Sequence, residues 1–334
     1  MRFSENWLRQ YVNPELTTEA LVHQLTMAGL EVDSVAPAAG AFTQVVIGEI
    51  LTAEPHPEAD RLRVCTVGAG AHGVLQIVCG APNARPGIRV PLALVGAELP
   101  GDFKIRPAKL RGVESFGMLC SAKELGIDED ASGLMELPFD APVGEDIRVF
   151  LGLEDTLIEV DLTPNRADCL SVEGIAREVS LLNGLEWTPV NTPEVAVSTS
   201  TVRRIELTDP LDCPRYLGQM IEGVDRNAPT PLWMRERLRR SGIRSLDILV
   251  DVTNYVLIEL GQPLHAFDAA CLKGVIQPRL ARAGESLELL NGQTIPLDPE
   301  TLVIADESGP LALAGIMGGK ASAVSAETRD IFLE

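Results

Sequence analysis

Aromatic residues are scarce in this sequence, at 4% of 334 residues. Its cores must therefore consist mostly of Leu, Val, Ile and Ala, which pack well but give bases few rings to stack on. Basic residues are also in the minority, and the formal net charge is −20. Because phosphate binding draws its affinity from clustered Lys and Arg, this charge excludes a surface that attracts nucleic acid everywhere. Any RNA contact must be local, or shared with a partner.

The sequence also lacks the spacing that is typical of a metal site or a disulfide framework. Its six cysteines include no C-x-x-C pair, and its four histidines include no H-E-x-x-H motif. No metal ligand is therefore predicted, and a metal-dependent hydrolase is disfavoured. We interpret the cysteines as buried residues or free thiols in a reducing cytoplasm.

No run of apolar residues approaches the length of a membrane span, and the first eight residues carry charges where a signal peptide would be apolar. The sequence predicts a soluble, cytoplasmic protein without a membrane partner. Its length is sufficient for two or three domains, each with its own core.

The order of hydrophobic patterns predicts helices and strands in alternation. Residues 4–12 and 17–28 favour two helices, with Ser4 as a cap and His23 on the solvent side. Short strands over 45–51, 62–67, 75–79 and 89–95 then predict a small antiparallel barrel or sandwich. Further strands are predicted over 157–162, 213–218, 287–292 and 301–306.

Two later helices are predicted over 172–182 and 231–242, the second with Thr230 as its cap. Its arginines, Arg235, Arg237, Arg239 and Arg240, predict a basic surface that could receive the acceptor end of a tRNA. Cations late in a helix also complement the helix dipole, and both interpretations remain open.

The stretch 250–268 alternates apolar residues with groups that can bond or transfer protons, and its first half fits either a strand or a helix. Gly261 and Pro263 end any regular element, so His265 is expected on a turn beside the core. With a reference pKa of about 6.5, His265 could exchange a proton at neutral pH. The alternative is a buried, hydrogen-bonded histidine that ties the turn to the core.

Several segments resemble the β subunits of bacterial phenylalanyl-tRNA synthetases. Residues 244–247, 251–255, 262–268 and 314–319 are similar to the editing domain of that family, and Glu334 stands where the family has its pocket glutamate. Residues 163–168 match another pattern of these subunits. Residues 56–62, 78–83 and 109–121 resemble the tRNA-binding OB-fold domain that occurs in several synthetases.

The resemblance implies an α+β multidomain chain in which an OB-fold β-barrel is inserted into a small α+β N-terminal domain. The expected bounds are 1–39 with 152–190 for the discontinuous domain, 40–151 for the barrel, 191–204 for a linker and 205–334 for the first part of a B3/B4-type editing domain. The chain ends inside a region that resembles the middle of the editing domain, so we expect part of the pocket to be missing.

An apolar pocket for phenylalanine cannot strongly reject tyrosine, so the resemblance implies a second site that hydrolyses mischarged tyrosyl-tRNA. Glu334 is the candidate acceptor for the phenolic hydroxyl. We assign water or ribose positioning to His265, oxyanion-side amides to Gly315 and Gly318, and a phosphate clamp to Arg244. Three further candidates are Ala314 as a substrate contact and Thr253 and Asn254, which would orient the ester or the water, or else hold a turn.

The candidate nucleic-acid contacts are Lys104, Arg106, Lys109, Arg111, Arg61 and Asn83. The first four form the densest run of positive charge before residue 200. The alternative is that these residues belong to ordinary solvated faces and barrel turns.

The resemblance further implies a partner α subunit in an α2β2 heterotetramer, with tRNA as the other partner. The whole enzyme would use ATP and Mg²⁺ to attach phenylalanine to its tRNA, with Mg²⁺ ligands beyond residue 334 and no cofactor bound by this chain. The alternative function is a non-enzymatic RNA-binding or subunit-assembly module.

Overall fold

The computed structural model describes all 334 residues and mixes helices with strands. Helices α1 to α6 are Glu5–Leu8, Thr18–Met27, Ile147–Leu151, Val172–Asn183, Leu232–Arg240 and Ile248–Leu260. Strands β1 to β11 are Arg2–Ser4, Glu31–Pro37, Val45–His56, Ala59–Gly68, Val74–Cys79, Arg89–Ala93, Glu98–Leu99, Phe103–Lys104, Ala108–Leu110, Val113–Ser115 and Met118–Leu119. Strands β12 to β21 are Thr156–Asp161, Gln219–Ile221, Ala266–Asp268, Gln277–Leu280, Ser286–Glu288, Thr294–Pro296, Leu302–Asp306, Gly309–Leu313, Met317–Gly318 and Ile331–Leu333. None of the helices has the length and apolar character needed to cross a bilayer.

The chain divides into two compact units. One combines Met1, Leu8–Glu15 and Leu162–Glu334, and the other combines Arg2–Trp7 and Leu16–Asp161. The predicted division into a discontinuous domain, a barrel, a linker and an editing domain is finer than these two units, and it stays a prediction.

In the second of these units, strands from both ends of its sequence meet in one small sheet. β12 lies between β1 and β2, and both pairs are antiparallel. The buried carboxylate of Asp155 fixes the start of α1, since its Oδ1 accepts the Asn6 amide at 3.0 Å and its Oδ2 accepts the Ser4 hydroxyl at 2.5 Å. Ser4 itself accepts the Trp7 amide at 3.0 Å, so the predicted cap is confirmed although the helix is shorter than 4–12.

The four strands predicted over 45–95 are confirmed as β3 to β6. They form an antiparallel sheet in the order β11-β6-β3-β4-β5. Its inward side chains are aliphatic, as the low aromatic content requires, and include Ile50, Val67, Ile77 and Leu92. Two hairpins, β7-β8 and β9-β10, belong to the same unit.

In the other unit, a three-stranded sheet has the order β13-β21-β14, and a four-stranded sheet has the order β15-β18-β19-β20. Phe267 of β14 pairs with Phe332 of β21, and both rings are fully buried. Together with Leu272, Ile276 and other aliphatic residues they form the core beneath the sheet.

Helix α6 settles the ambiguity of residues 250–260 in favour of a helix. Asp247 caps it, with its Oδ1 accepting the amides of Leu249 at 3.0 Å and Val250 at 3.3 Å. Gly261 ends it in the left-handed conformation at φ +75°, as predicted. A strand would have turned alternate residues toward solvent, whereas the helix buries Asp251, Tyr255 and Glu259 on one face.

The predicted strand over 213–218 is wrong. These residues form no strand, and the first pairing in this region begins at Gln219. Pro214 cannot donate to a sheet ladder, and Gly218 lies so close to Phe332 that an added Cβ would stand 2.1 Å from the ring. The apolar residues of this segment pack without forming a strand: Tyr216 contacts the core of Phe267 and Phe332.

The predicted cap of α5 is also wrong. The Thr230 hydroxyl donates to Asp251 Oδ2 at 2.5 Å, and Pro231 takes the position before the first helical residue without a side-chain cap. The first turn of a helix presents N–H donors, which a capping oxygen must accept; the Thr230 hydroxyl instead donates to the buried Asp251 carboxylate and accepts no amide of α5.

The basic surface expected on α5 is largely absent. Arg239 and Arg240 pair with Glu236 at 2.9 and 3.3 Å, and Glu236 and Arg240 are both buried. Arg237 donates to the Tyr255 hydroxyl at 2.5 Å and to Gln10 Oε1 at 2.6 Å. These three guanidinium groups serve internal contacts, whereas Arg235 is half-buried and makes no ion pair, so docking of a tRNA acceptor end on this helix stays a prediction.

Asp251 is the polar centre of this region and yields a test of the fold. Its carboxylate is fully buried and accepts three hydrogen bonds, from Thr230, Ser245 and the Leu246 amide. Asp251→Ala leaves three donors unpaired and should lower the free energy of unfolding by about 3 kcal/mol. Urea unfolding should show the midpoint falling at an unchanged m value. The matched variant Glu300→Ala removes an exposed carboxylate and should leave the midpoint in place; an equal fall for both variants would contradict this account.

Candidate functional site

The backbones of His265 and Glu334 meet in a reciprocal pair of hydrogen bonds. The His265 amide donates to the Glu334 carbonyl at 3.2 Å, and the Glu334 amide donates to the His265 carbonyl at 2.9 Å. This pair extends the antiparallel ladder of β14 and β21 by one step. Directly opposed residues of an antiparallel pair project their side chains from the same face, with Cβ atoms about 5 Å apart. The imidazole and the carboxylate are therefore neighbours on one face of the sheet.

The His265 ring is held between aromatic and glycine neighbours. It stands edge to face with Phe267, with ring centroids 4.5 Å apart at 80°. On another side lies Gly318, where an added Cβ would be 2.5 Å from His265 Cε1 and 2.7 Å from Nε2. Only a glycine at 318 leaves this space for the ring, so the two residues predicted for catalysis are in direct contact.

The electrostatic state of His265 follows from its burial. Burial lowers the pKa of His265 below its usual value, because loss of hydration disfavours the charged imidazolium. Its Nε2 is buried and has no hydrogen-bond partner in the structure. The ring is therefore a neutral imidazole at neutral pH, with one nitrogen unsatisfied. The alternative was a histidine whose ring hydrogen bonds tie the turn to the core. Nε2 makes no such bond.

The Glu334 carboxyl group is also withdrawn from water, and it has one polar side-chain partner. Burial raises the pKa of Glu334, while the Tyr216 hydroxyl, which donates to Oε2 at 2.5 Å, opposes that rise. Burial and the adjacent carboxylate raise the pKa of Tyr216, so the phenol keeps its proton. Sequence reasoning missed Tyr216, because it lies in the segment predicted as a strand and no local motif points to a carboxylate 118 residues away.

The hairpin β19-β20 carries the remaining glycines. Ala314 packs against the core of Phe267 and Phe332, and its amide donates to the Leu302 carbonyl at 3.1 Å. Gly315 is exposed in the turn with φ +69°, a conformation that glycine adopts without strain. Gly318 and Ala314 thus lie beside the core that carries His265 and Glu334, while Gly315 is at the hairpin tip.

Arg244, Thr253 and Asn254 are placed by α6 and the turn before it. Arg244 is exposed and makes no ion pair or side-chain hydrogen bond. Asp251 holds the next two residues of this turn through its bonds to the Ser245 hydroxyl and the Leu246 amide. Thr253 Oγ1 donates to the Val250 carbonyl at 2.9 Å, which is an internal bond of the helix. Asn254 is half-buried without a side-chain bond.

The candidate nucleic-acid contacts divide into free and engaged groups. Arg61, Arg106, Lys109 and Arg111 are exposed and make no ion pair, whereas Lys104 pairs with Glu98 at 2.8 Å. Lys109 and Arg111 lie on the hairpin β9-β10. Phe103 of β8 and Phe116, the residue after β10, are 55% and 39% exposed. The low aromatic content of the sequence did not predict these two exposed rings.

The Asn83 side chain is fully used inside the protein. Its amide nitrogen donates to the Leu134 carbonyl and to Glu136 Oε1, each at 3.0 Å, and its oxygen accepts the Leu134 amide at 2.8 Å. His56 is likewise internal, with Nε2 at 3.1 Å from the Leu110 carbonyl and Nδ1 accepting the Glu58 amide. These bonds match the alternative in which such residues hold turns.

One cluster of possible metal ligands exists, formed by Asp168, Cys169 and Glu178. The Arg166 guanidinium bonds all three: Nη2 is 3.2 Å from Asp168 Oδ2, 2.9 Å from Cys169 Sγ and 3.0 Å from Glu178 Oε1. Burial raises the pKa of the Cys169 thiol to about 11. A guanidinium already fills the place of a cation and the thiol stays protonated, so these residues do not fit a divalent ion.

Comparison with known proteins gives two family matches. The putative tRNA binding domain matches residues 45–146, and the B3/4 domain matches residues 212–334. A solved structure, an N-terminal fragment of the phenylalanyl-tRNA synthetase beta subunit from Pyrococcus horikoshii, is 17% identical with a TM-score of 0.32. It covers 54% of this chain and 55% of its own, and at that score it supports no conclusion about the site.

Relatives of much higher identity match the chain from end to end. The phenylalanine–tRNA ligase beta subunit of Methylococcus capsulatus is 63% identical over 334 residues, and that of Pseudomonas putida is 60% identical over 335 residues. Each match covers 100% of this chain but 42% of the relative, so the chain spans less than half the length of these proteins. The chain therefore belongs to the bacterial phenylalanine–tRNA ligase beta subunits, whose N-terminal portion it matches.

Proposed function

We propose that this chain supplies tRNA binding and an editing site to a phenylalanine–tRNA ligase. In the whole enzyme, this subunit and an α subunit would form an α2β2 heterotetramer that attaches phenylalanine to its tRNA in the cytoplasm. ATP and Mg²⁺ would serve that adenylation and transfer. Asp168, Cys169 and Glu178 would not hold the Mg²⁺, since Arg166 already neutralises this cluster.

The editing reaction is hydrolysis of tyrosine esterified to the tRNA. The observation that carries this proposal is the pairing of His265 with Glu334 on one sheet face, with Gly318 against the imidazole. A buried carboxylate accepts the hydrogen bond of a phenol, and a phenylalanine side chain would leave it unpaired. The phenolic hydroxyl would thus select the substrate at Glu334.

At the ester, the neutral His265 would use its unpartnered Nε2 to hold a water molecule or a ribose hydroxyl. Water adds to the ester carbonyl, the bond to the ribose oxygen breaks, and tyrosine and free tRNA leave. Backbone amides of Gly315 and Gly318 would stabilise the negative charge that develops on the carbonyl oxygen. Arg244, exposed and without an internal partner, would clamp a phosphate of the terminal nucleotides. Ala314 would contact the substrate, and Thr253 and Asn254 would orient it.

The five-stranded sheet β11-β6-β3-β4-β5 would be the OB-fold of the tRNA-binding domain, and the units would follow the finer domain bounds given above. Arg61, Arg106, Lys109 and Arg111 would contact phosphates, because a free guanidinium or ammonium loses no internal ion pair on binding. Lys104 and Asn83 would contribute after exchanging their internal partners. Phe103 and Phe116 would offer rings for base stacking.

Replacing the imidazole tests the editing chemistry. In the complete ligase, His265→Ala should lower the rate of tyrosyl-tRNA hydrolysis by about 10²-fold or more, as expected for loss of a positioned acid–base group. Since burial lowers the pKa of His265, the wild-type rate should hold as the pH falls through about 6.5 and decline only below it. Affinity for tRNA should not change. An unchanged hydrolysis rate would favour the RNA-binding or assembly module instead.

Gly318→Ala tests the shape of the site without removing a functional group. The added Cβ would displace the His265 ring, so hydrolysis should fall at least tenfold in a deacylation assay while tRNA binding persists. Gly68→Ala is the control, because its Cβ would meet only the Leu51 side chain at 3.7 Å. Equal rates for the two variants would show that the ring position does not matter.

The double variant Lys109→Ala with Arg111→Ala tests the RNA contacts. If both residues touch phosphates, tRNA affinity should fall, and the slope of log affinity against log salt concentration should become shallower by about 0.7–0.9 for each charge. The matched control, Arg85→Ala with Lys123→Ala, removes two cations that are already paired with Glu136 and Glu129. Filter binding or fluorescence titration at several salt concentrations measures both. Identical slopes would contradict phosphate contact by the hairpin.

A further inference from the structure

The Glu334 carboxylate is already occupied on one side by a phenol from its own chain. The Tyr216 hydroxyl donates to Oε2, and Oε1 makes no hydrogen bond in the structure. Oε1 is also not among the fully buried side-chain atoms without a partner, so it keeps contact with solvent. The two oxygens of one carboxylate are thus unequal: one is bound internally and the other is free to accept.

Tyr216 itself is held firmly. Its ring packs against the core that Phe267 and Phe332 form, as Met220 also does. The close approach of Gly218 to the Phe332 ring brings the backbone of this segment against the same core. The hydroxyl therefore donates to Glu334 from a ring that is fixed in place. This bond restrains the Glu334 side chain before a ligand binds, whereas an unrestrained glutamate would lose rotamer entropy on binding.

Resting on the editing function proposed above, we infer that Tyr216 is a positioning residue for tyrosine recognition. Its hydroxyl locks the Glu334 carboxylate through Oε2 and leaves Oε1 as the acceptor for the phenol of the substrate. Two phenols would then share one carboxylate, one built into the protein and one brought by the mischarged tRNA. A phenylalanine ester supplies no second donor, so the preorganised oxygen remains unpaired and that ester is bound less well.

The same contact keeps the carboxylate charged in a poorly hydrated place. Three titratable side chains lie near Glu334. Tyr216 donates a hydrogen bond to it, Cys213 is a neighbouring thiol, and His265 lies opposite it on the sheet. Of these, only the Tyr216 hydroxyl offsets the effect of burial, which raises the pKa of Glu334. A protonated carboxyl group would be a poorer acceptor for a phenol. Removing the hydroxyl should therefore weaken tyrosine recognition most on the acidic side.

Tyr216→Phe in the complete ligase tests this inference, since it keeps the ring and removes only the hydroxyl. The KM for tyrosyl-tRNA hydrolysis should rise about tenfold, with a smaller change in kcat. The acidic limb of the kcat/KM profile should also move to higher pH, because Glu334 then loses the partner that favours its charged form. Tyr255→Phe is the matched control: it removes a hydroxyl that donates to a buried glutamate, Glu259, at 2.7 Å, and both effects should be absent.

The outcomes separate this inference from the function on which it rests. If Glu334→Ala leaves tyrosyl-tRNA hydrolysis intact, the editing site is elsewhere and the proposed function fails. If Glu334→Ala abolishes hydrolysis while Tyr216→Phe keeps the wild-type KM and pH profile, only the role of Tyr216 is overturned. Faster hydrolysis by Tyr216→Phe would also overturn it, since the internal phenol would then be a competitor. Unchanged tRNA affinity and thermal midpoint would show that each variant folds.

Discussion

The reciprocal backbone hydrogen bonds between His265 and Glu334 are the constraint on which the candidate site depends. They lengthen the ladder of β14 and β21 by one residue and set the two side chains directly opposite each other. A shift of one strand by one residue would turn its side chains to the other face and separate the imidazole from the carboxylate. The buried pair of Phe267 and Phe332, two residues away on each strand, secures the register because it must stay in the core.

Around this pair, the absence of side chains matters as much as their presence. Gly318 leaves room for the imidazole, and Gly218 leaves room for the Phe332 ring that supports the same sheet. The imidazole of His265 and the carboxylate of Glu334 are thereby buried away from water, and burial alone disfavours the charged form of each group. An unpartnered buried nitrogen on His265 is a cost to the fold, and a polar group that bound there would remove this cost.

Local signals predicted much of this arrangement, and their failures have identifiable causes. The cap at Ser4 and the stop at Gly261 act within a few residues, so these two helix ends followed from the sequence, whereas the cap at Asp247 was not predicted. The short strands of 45–95 followed from alternation and turns. By contrast, the bond from Thr230 to Asp251 and that from Tyr216 to Glu334 join residues 21 and 118 positions apart. Sequence periodicity cannot predict such distant pairs. The Thr230 bond made the predicted cap of α5 wrong, and the Tyr216 bond was not predicted at all.

The charge pattern was equally ambiguous without coordinates. The arginines of α5 and the basic residues around 104–111 are alike in sequence, yet three of the four in α5 bond to Glu236 or Tyr255, whereas most of those around 104–111 make no ion pair. The grouping of His265, Gly318 and Glu334 came instead from resemblance, and the sheet supplies its physical basis.

The most direct test is a crystal structure of the complete ligase with a non-hydrolysable tyrosyl-adenosine analogue bound. The account predicts the phenolic oxygen of the analogue within hydrogen-bond distance of Glu334 Oε1, with Tyr216 still on Oε2 and the linkage that mimics the ester beside His265 and Gly318. Electron density for the analogue with its phenol away from Glu334, or with its linkage remote from His265, would contradict it.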